Sequence, residues 1–270
     1  MSKLTVRPIV TGYIPTFKKT YHYHHSTHAY RNVDDGTALL PCIVYLVEGG
    51  KDLVLVDTGM ADTERADKYH HPGSYQPEGF AIQDQLARIG IRPADVKTVV
   101  FTHMHWDHVY NMEKFVNARF VAHRKEYEFA LDPIGVYYKS YEHPALGLRR
   151  PFEGLKIDVV DGEEEIAPGI RVFPSPGHSP GHQSVEVDTA AGTYICCGDS
   201  IFIYENLDPI PAIHYSITPP ARFANIVECW RSIEDLKRRA KSRELILPTH
   251  EPAIERLMKA QATFPGGAAR

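Results

Sequence analysis

The stretch Thr102-His103-Met104-His105-Trp106-Asp107-His108 decides what this chain folds into. It continues an apolar β-type run, Val-Lys-Thr-Val-Val-Phe-Thr over 96–102. A strand ending there delivers three imidazoles and one carboxylate into a single turn. Imidazole and carboxylate are the ligands that borderline divalent ions such as zinc prefer. An H-x-H-x-D-H cluster at a strand end therefore reads as one part of a metal site. A His-rich surface loop would not need that placement.

Three further residues occupy the same kind of position. His178 lies in Ser175-Pro176-Gly177-His178-Ser179-Pro180-Gly181-His182, a tight Gly/Pro loop after the strand expected at 169–174. Asp199 ends the strand-like run Tyr-Ile-Cys-Cys-Gly (194–198), and His250 follows the last strand, expected over Glu244–Leu247. Candidate ligands thus sit at four strand ends. A carboxylate can bridge two ions, so Asp199 completes both halves of a two-metal site.

The remaining pattern supplies the frame. Strands are expected at 39–47 and 52–57, joined through Glu-Gly-Gly-Lys, a hairpin signal. A helix over 80–89 stops at Gly90, a strand covers 118–122 and a helix 123–131. Strands return at 156–160, 169–174, 183–188 and 193–197. One long helix over 219–241 opens on Pro219-Pro220. The Pro- and Tyr-punctuated segment 132–155 has no clear assignment; its aromatics Tyr137, Tyr138, Tyr141 and Phe152 either line a pocket or pack a loop. Two mostly β halves covered by helices favour sheets packed face to face with helices outside.

Composition sets limits on function. The 270 residues, 43% hydrophobic and 24% charged, suit one large globular domain spanning 1–270. The net charge of -4 argues against a nucleic-acid partner. Cys42, Cys196, Cys197 and Cys229 show no C-x-x-C spacing and read as reduced, buried thiols. Met-Ser-Lys-Leu-Thr-Val-Arg-Pro lacks the apolar core of a signal peptide. The runs Cys42–Val47 and Leu53–Val56 are too short to cross a bilayer. A cytoplasmic protein with no membrane partner is expected.

The segments Leu-Val-Asp-Thr-Gly-Met (55–60), His-x-His-x-Asp-His (103–108), Pro-Gly-His-Ser-Pro-Gly-His-Gln-Ser (176–184) and the Asp199 run resemble the metallo-β-lactamase superfamily. Within it they most resemble the N-acyl-homoserine lactone lactonases. The resemblance covers about residues 39 to 254 and implies an α/β fold, the four-layer αβ/βα sandwich. It implies two zinc ions: one on His103, His105 and His178, the other on Asp107, His108 and His250, with Asp199 bridging. It further implies lactone ring opening by a metal-bound hydroxide, hence quorum quenching. Asp107 would carry the proton, and Asp57 would orient ligands from behind the site without binding metal. His182 is expected to have a structural role in its loop.

The chain departs from the lactonase pattern where those enzymes place a tyrosine three residues after the bridging Asp, against the substrate carbonyl. Phe202 stands there, and Tyr204 is the nearest candidate for that catalytic and substrate-binding role. Trp106 either borders an acyl pocket or packs the core. Tyr21-His22-Tyr23-His24-His25 is expected as a surface or entrance segment. The alternative on the same scaffold is another ester, cyclic-amide or thioester hydrolase. A nucleic-acid-processing enzyme would want basic surface, and a flavodiiron protein an appended flavin domain.

Overall fold

The computed structural model describes residues 4–259; residues 1–3 and 260–270 of the expected 1–270 domain lie outside the described residues. Eleven strands form two sheets among the described residues. The first sheet has the order β1 (Thr5–Phe17), β2 (Thr37–Glu48), β3 (Leu53–Val56), β4 (Val96–Val100), β5 (Arg119–His123), β6 (Ile157–Val160). The β1–β2–β3 part is antiparallel and the β3–β4–β5–β6 part is parallel. The second sheet runs β11 (Ile246–Pro248), β10 (Gly192–Gly198), β9 (Gln183–Thr189), β8 (Ile170–Pro174), β7 (Glu164–Ala167), with only the β10–β11 pair parallel.

The side-chain alternation of the strands builds the layers. Val54 and Val56 of β3 face the second sheet, while Leu55 faces outward. Val100 of β4 also enters the inter-sheet core, with Cys196 of β10 and Val172, Val185 and Val187 of its neighbours on the opposite sheet. On the outer side of the first sheet, Leu55, Val99 and Phe101 pack on Ile82 and Leu86 of the helix Ile82–Arg88. On the outer side of the second, Ile195 and Cys197 pack on Ile233 and Leu236 of the helix Ile226–Arg239. A period of two with both faces apolar is what strands buried on both sides require. Each such Val, Leu or Ile contributes about 1.5–3 kcal/mol relative to exposure. This is the expected αβ/βα sandwich. All four cysteines are buried and unpaired, and no helix among the described residues is long and apolar enough to cross a membrane.

Three expectations need correction. The first strand is Thr5–Phe17, ahead of the run at 39–47. Pro8 and Pro15 disguise it, but β1 is an edge strand, where a missing N–H costs no ladder bond. Gly12 bulges the pairing at φ +152, and a Cβ there would meet the Met60 sulfur at 2.3 Å. The helix expected over 219–241 is Ile226–Arg239, because the Asn225 side chain caps it by accepting from Val227 and Glu228 N–H. Strand β7 and the terminal helix Pro252–Lys259 were not expected.

Candidate metal centre

Every expected ligand comes from a strand end on one rim of the sandwich. Just past β4, the Thr102 N–H and hydroxyl both donate to the carboxylate of Asp57, each at 2.8 Å. Asp57, past the end of β3, adopts a left-handed φ of 63, which Asp tolerates better than most side chains. From the second sheet, Gln183 donates its N–H to the Thr102 carbonyl and its side-chain amide to the Phe101 carbonyl, both at 2.8 Å. The two sheets are thereby stitched together directly under the His cluster. Gly198, before Asp199, also has to be glycine: φ is +50, and a Cβ would meet Thr102 Oγ1 at 2.6 Å and His182 Nε2 at 2.7 Å.

The candidate ligands form two groups around Asp199. His105 Nδ1 lies 3.0 Å from His103 Nε2 and 3.1 Å from His178 Nε2. Two nitrogens at 2.0–2.1 Å on a tetrahedral ion stand about 3.3 Å apart, so this spacing fits a common ion. Asp199 Oδ2 faces this group, 3.4 Å from His178 Nε2 and 3.9 Å from His103 Nε2. Its other oxygen, Oδ1, faces the second group, 3.4 Å from His108 Nε2 and 3.3 Å from His250 Nε2. Asp107 Oδ2 completes that group at 3.5 Å from His250 Nε2 and 3.8 Å from His108 Nε2. Buried, yet without a hydrogen-bond partner, are His108 Nε2 and Asp199 Oδ1. Leaving them so costs about 1–3 kcal/mol each, and a divalent cation between them answers both.

Supporting hydrogen bonds fix which nitrogen faces inward. His108 Nδ1 meets Asp57 Oδ2 at 2.8 Å, His250 Nδ1 meets the Pro41 carbonyl at 2.8 Å, and His178 Nδ1 meets the Arg222 carbonyl at 3.2 Å. Each leaves an Nε2 lone pair for a metal. Burial, then neighbouring histidines, push His103 and His105 well below the usual imidazole range, so both are neutral. Burial also works against charge on His108 and His250, but Asp199 and nearby carboxylates outweigh it and raise both. An arriving cation would displace those protons. Asp199 is buried, yet His250, His108 and His178 hold it well below the usual carboxylate range.

His182 is not among the converging nitrogens. Its Nε2 accepts the Asp199 N–H at 3.2 Å and its Nδ1 meets Ser175 Oγ at 2.9 Å, so it positions Asp199. Tyr204 requires a correction. It does not line the cleft over the site, and its hydroxyl donates to the Ile246 carbonyl at 3.0 Å. Two residues of chain carry it past the rim and into the core below. Phe202 holds the cleft position instead, stacked on His250 at 5.6 Å and edge-on to His178 at 5.6 Å. Trp106 does both things considered for it, lining the cleft while buried and stacked on His70 at 4.0 Å. The Tyr21–His25 segment, expected at the surface or entrance, lies at the entrance: Tyr21 lines the cleft, His22 and Tyr23 are buried beside it, and His25 is exposed.

Sequence reasoning missed two neighbours. Glu126 is fully buried and joins both ligand loops. Its carboxylate accepts from Met104 N–H at 2.9 Å, Tyr141 hydroxyl at 2.8 Å, Ser179 hydroxyl at 2.6 Å and Gly181 N–H at 3.1 Å. Only a fully apolar environment around a helical Glu would have marked it. Cys42 places its sulfur within 4.8 Å of donor atoms of Asp107 and His250. In segment 132–155, Tyr141 and Phe152 pack the core, while Ser140 reaches the cleft.

A family profile described as Metallo-beta-lactamase superfamily matches residues 38–250, the span that carries all seven converging side chains. The chain belongs to the metallo-β-lactamase superfamily. It is a metal-dependent hydrolase. An N-acyl homoserine lactonase of Bacillus thuringiensis is 30% identical over 182 residues, 64% of this chain and 69% of that protein. The crystal structure of a B. thuringiensis AiiA mutant with N-decanoyl-L-homoserine bound at its active site superposes with a TM-score of 0.74 at 24% identity, covering 97% of each chain. AidC, a dizinc quorum-quenching lactonase solved with a product, gives 0.68 at 16% identity over 93% of this chain and 89% of that one. At these identities the two structures establish the shared superfamily fold.

Proposed function

We propose that residues 1–270 form one cytoplasmic dinuclear zinc hydrolase domain that opens lactone rings, with N-acyl homoserine lactones as the substrate class and quorum quenching as the consequence. One observation carries the two-metal part. The two oxygens of Asp199 point at two separate sets of donors, His103 and His178 on one side, His108 and His250 on the other. The donor set is nitrogen and carboxylate throughout, which suits zinc. The substrate class is supported by the name of the 30%-identical relative.

A zinc pair held there supplies a nucleophilic hydroxide at neutral pH and polarises a carbonyl. His103, His105 and His178 would hold one ion, Asp107, His108 and His250 the other, and Asp199 would span them. Asp57 keeps His108 in the tautomer that offers Nε2. Asp107 lines the cleft and its Oδ2 borders the second group, so it takes the proton released on attack and returns it to the leaving alkoxide. The cleft over the two groups is small, about 50 Å³, and opens to solvent. Leu40, Ile14 and Trp106 give it an apolar wall suited to an acyl chain.

Turnover of a panel of acyl-homoserine lactones, plain γ- and δ-lactones, aryl esters and thioesters by zinc-loaded protein tests the substrate. Lactones are expected to lead. A kcat/KM at least tenfold higher on aryl esters or thioesters replaces the lactonase reading with the ester or thioester hydrolase, while the metal site stands.

A further inference from the structure

Beyond the metal-converging side chains, the ionisable residues lining the cleft are Tyr21, His71 and Arg222, and the last two both contact Tyr21. The Tyr21 hydroxyl lies 3.1 Å from His71 Nε2, and the Arg222 guanidinium sits 4.9 Å from the Tyr21 ring centroid. The Arg222 backbone carbonyl is the partner of His178 Nδ1, so the same loop holds a candidate ligand and clamps the phenol. Across the cleft, the Tyr21 ring meets Phe202 edge-on at 6.2 Å and 80°. Phe202 in turn covers the imidazoles of His178 and His250. A phenol is therefore built into the wall that faces the metal groups, from a segment remote in sequence. The Thr16 hydroxyl, which also lines the cleft, is engaged: Oγ1 lies 3.0 Å from His22 Nε2.

We propose that Tyr21 donates a hydrogen bond to the substrate carbonyl oxygen as it gains negative charge, and that His71 is the positioning residue that aims it. With its proton on Nε2, His71 donates to the Tyr21 oxygen and leaves the phenol proton free for the cleft. Burial keeps His71 neutral, lowering its pKa to about 4, so one ring nitrogen carries a proton and the other does not. Burial also raises the Tyr21 pKa; the Arg222 charge works against this and the charges of Asp107 and Asp199 add to it, so the phenol stays protonated at neutral pH. A preorganised donor aimed at developing charge is worth about 10²–10³ in rate when removed from a dry site; this cleft is open, and a tenfold to hundredfold effect is expected. The substrate side of the inference rests on the hydrolase reading above.

The test uses zinc-loaded protein with N-hexanoyl-L-homoserine lactone and 4-nitrophenyl acetate as probes. Tyr21→Phe should lower kcat at least tenfold on the better probe, move KM by less than threefold and leave the metal content at the wild-type value. His71→Gln should give a smaller fall. Tyr21→Phe combined with Phe202→Tyr should recover part of the lost kcat, because a hydroxyl on the facing ring re-enters the same space; a merely structural role for Tyr21 predicts no such rescue. Tyr21→Phe within twofold of wild type, or a loss explained by lost metal, overturns the proposal. Activity confined to the ester leaves the Tyr21 comparison intact and removes only the lactone reading. Turnover of neither probe by wild type overturns both.

Discussion

Replacing Glu126 with glutamine tests how the two ligand loops are held. The carboxylate oxygens divide four donors between them: Met104 N–H and Tyr141 hydroxyl on Oε1, Ser179 hydroxyl and Gly181 N–H on Oε2. Glutamine keeps one acceptor oxygen and turns the other into an NH₂ donor. A hydroxyl can rotate and accept from it, but a backbone N–H cannot. Either Met104 or Gly181 is therefore left facing a donor in a fully buried site. A stranded buried N–H costs about 1–3 kcal/mol, and the lost bonds to a charged acceptor about 1.5–3 kcal/mol each. Burial already raises the Glu126 pKa, so relief of that burden offsets part of the sum. A net loss of about 3 kcal/mol remains, which at this chain length lowers Tm by about 6–10 °C. Melting of metal-free protein followed by circular dichroism is the assay, since bound metal would mask the change. Zinc affinity should also fall about tenfold or more, because both loops that carry His103, His105 and His178 lose their common anchor. A Tm within 2 °C of wild type, with zinc affinity unchanged, refutes the reasoning.

Three further outcomes follow from particular contacts. Tyr204→Phe should cost about 1 kcal/mol through the lost bond to Ile246 and leave kcat/KM within twofold; a tenfold fall in kcat/KM would return that hydroxyl to the site. Asp107→Asn should lower kcat roughly a hundredfold while KM moves little, as loss of a proton carrier acts on the transition state; an unchanged kcat removes Asp107 from proton transfer. Burial holds the His22 pKa at about 4, below the unfolded value near 6.5. The unfolded chain therefore binds the proton first, and His22 contributes stability that is complete above pH 6.5 and shrinks as pH falls toward 4. The difference in urea unfolding free energy between metal-free wild type and His22→Gln should thus move against wild type by about 1–2 kcal/mol from pH 7.5 to 5; a pH-independent difference contradicts the assignment.

The His103–His108 run, His178, Asp199 and His250 were legible because metal chemistry constrains residue type and strand ends constrain position. The sandwich was legible for a related reason: runs such as 53–56 and 193–197 are apolar on both faces, as only strands covered on both sides are. What stayed hidden depends on partners far away in sequence. β1 is a strand because β2 pairs with it at the sheet edge, where Pro8 and Pro15 are tolerated; alone, its prolines and Gly12 read as breakers. The helix after Pro219-Pro220 starts six residues later because Ala224 N–H is drawn to the Gly177 carbonyl at 2.7 Å, which keeps 219–224 as the loop beside His178. Tyr204 leaves its expected place over the site, and Tyr21 of the entrance segment reaches into the cleft, for the same reason. Nothing local to either tyrosine tells which hydroxyl will face the cleft.

The central claim is that Asp199 joins two metal positions, and elemental analysis of zinc-replete wild type, Asp199→Ala and His250→Ala measures it most directly. The account predicts about two zinc ions per wild-type chain, loss of both in Asp199→Ala, and retention of the one held by His103, His105 and His178 in His250→Ala. A single ion in wild type, or equal loss in the two variants, would contradict it.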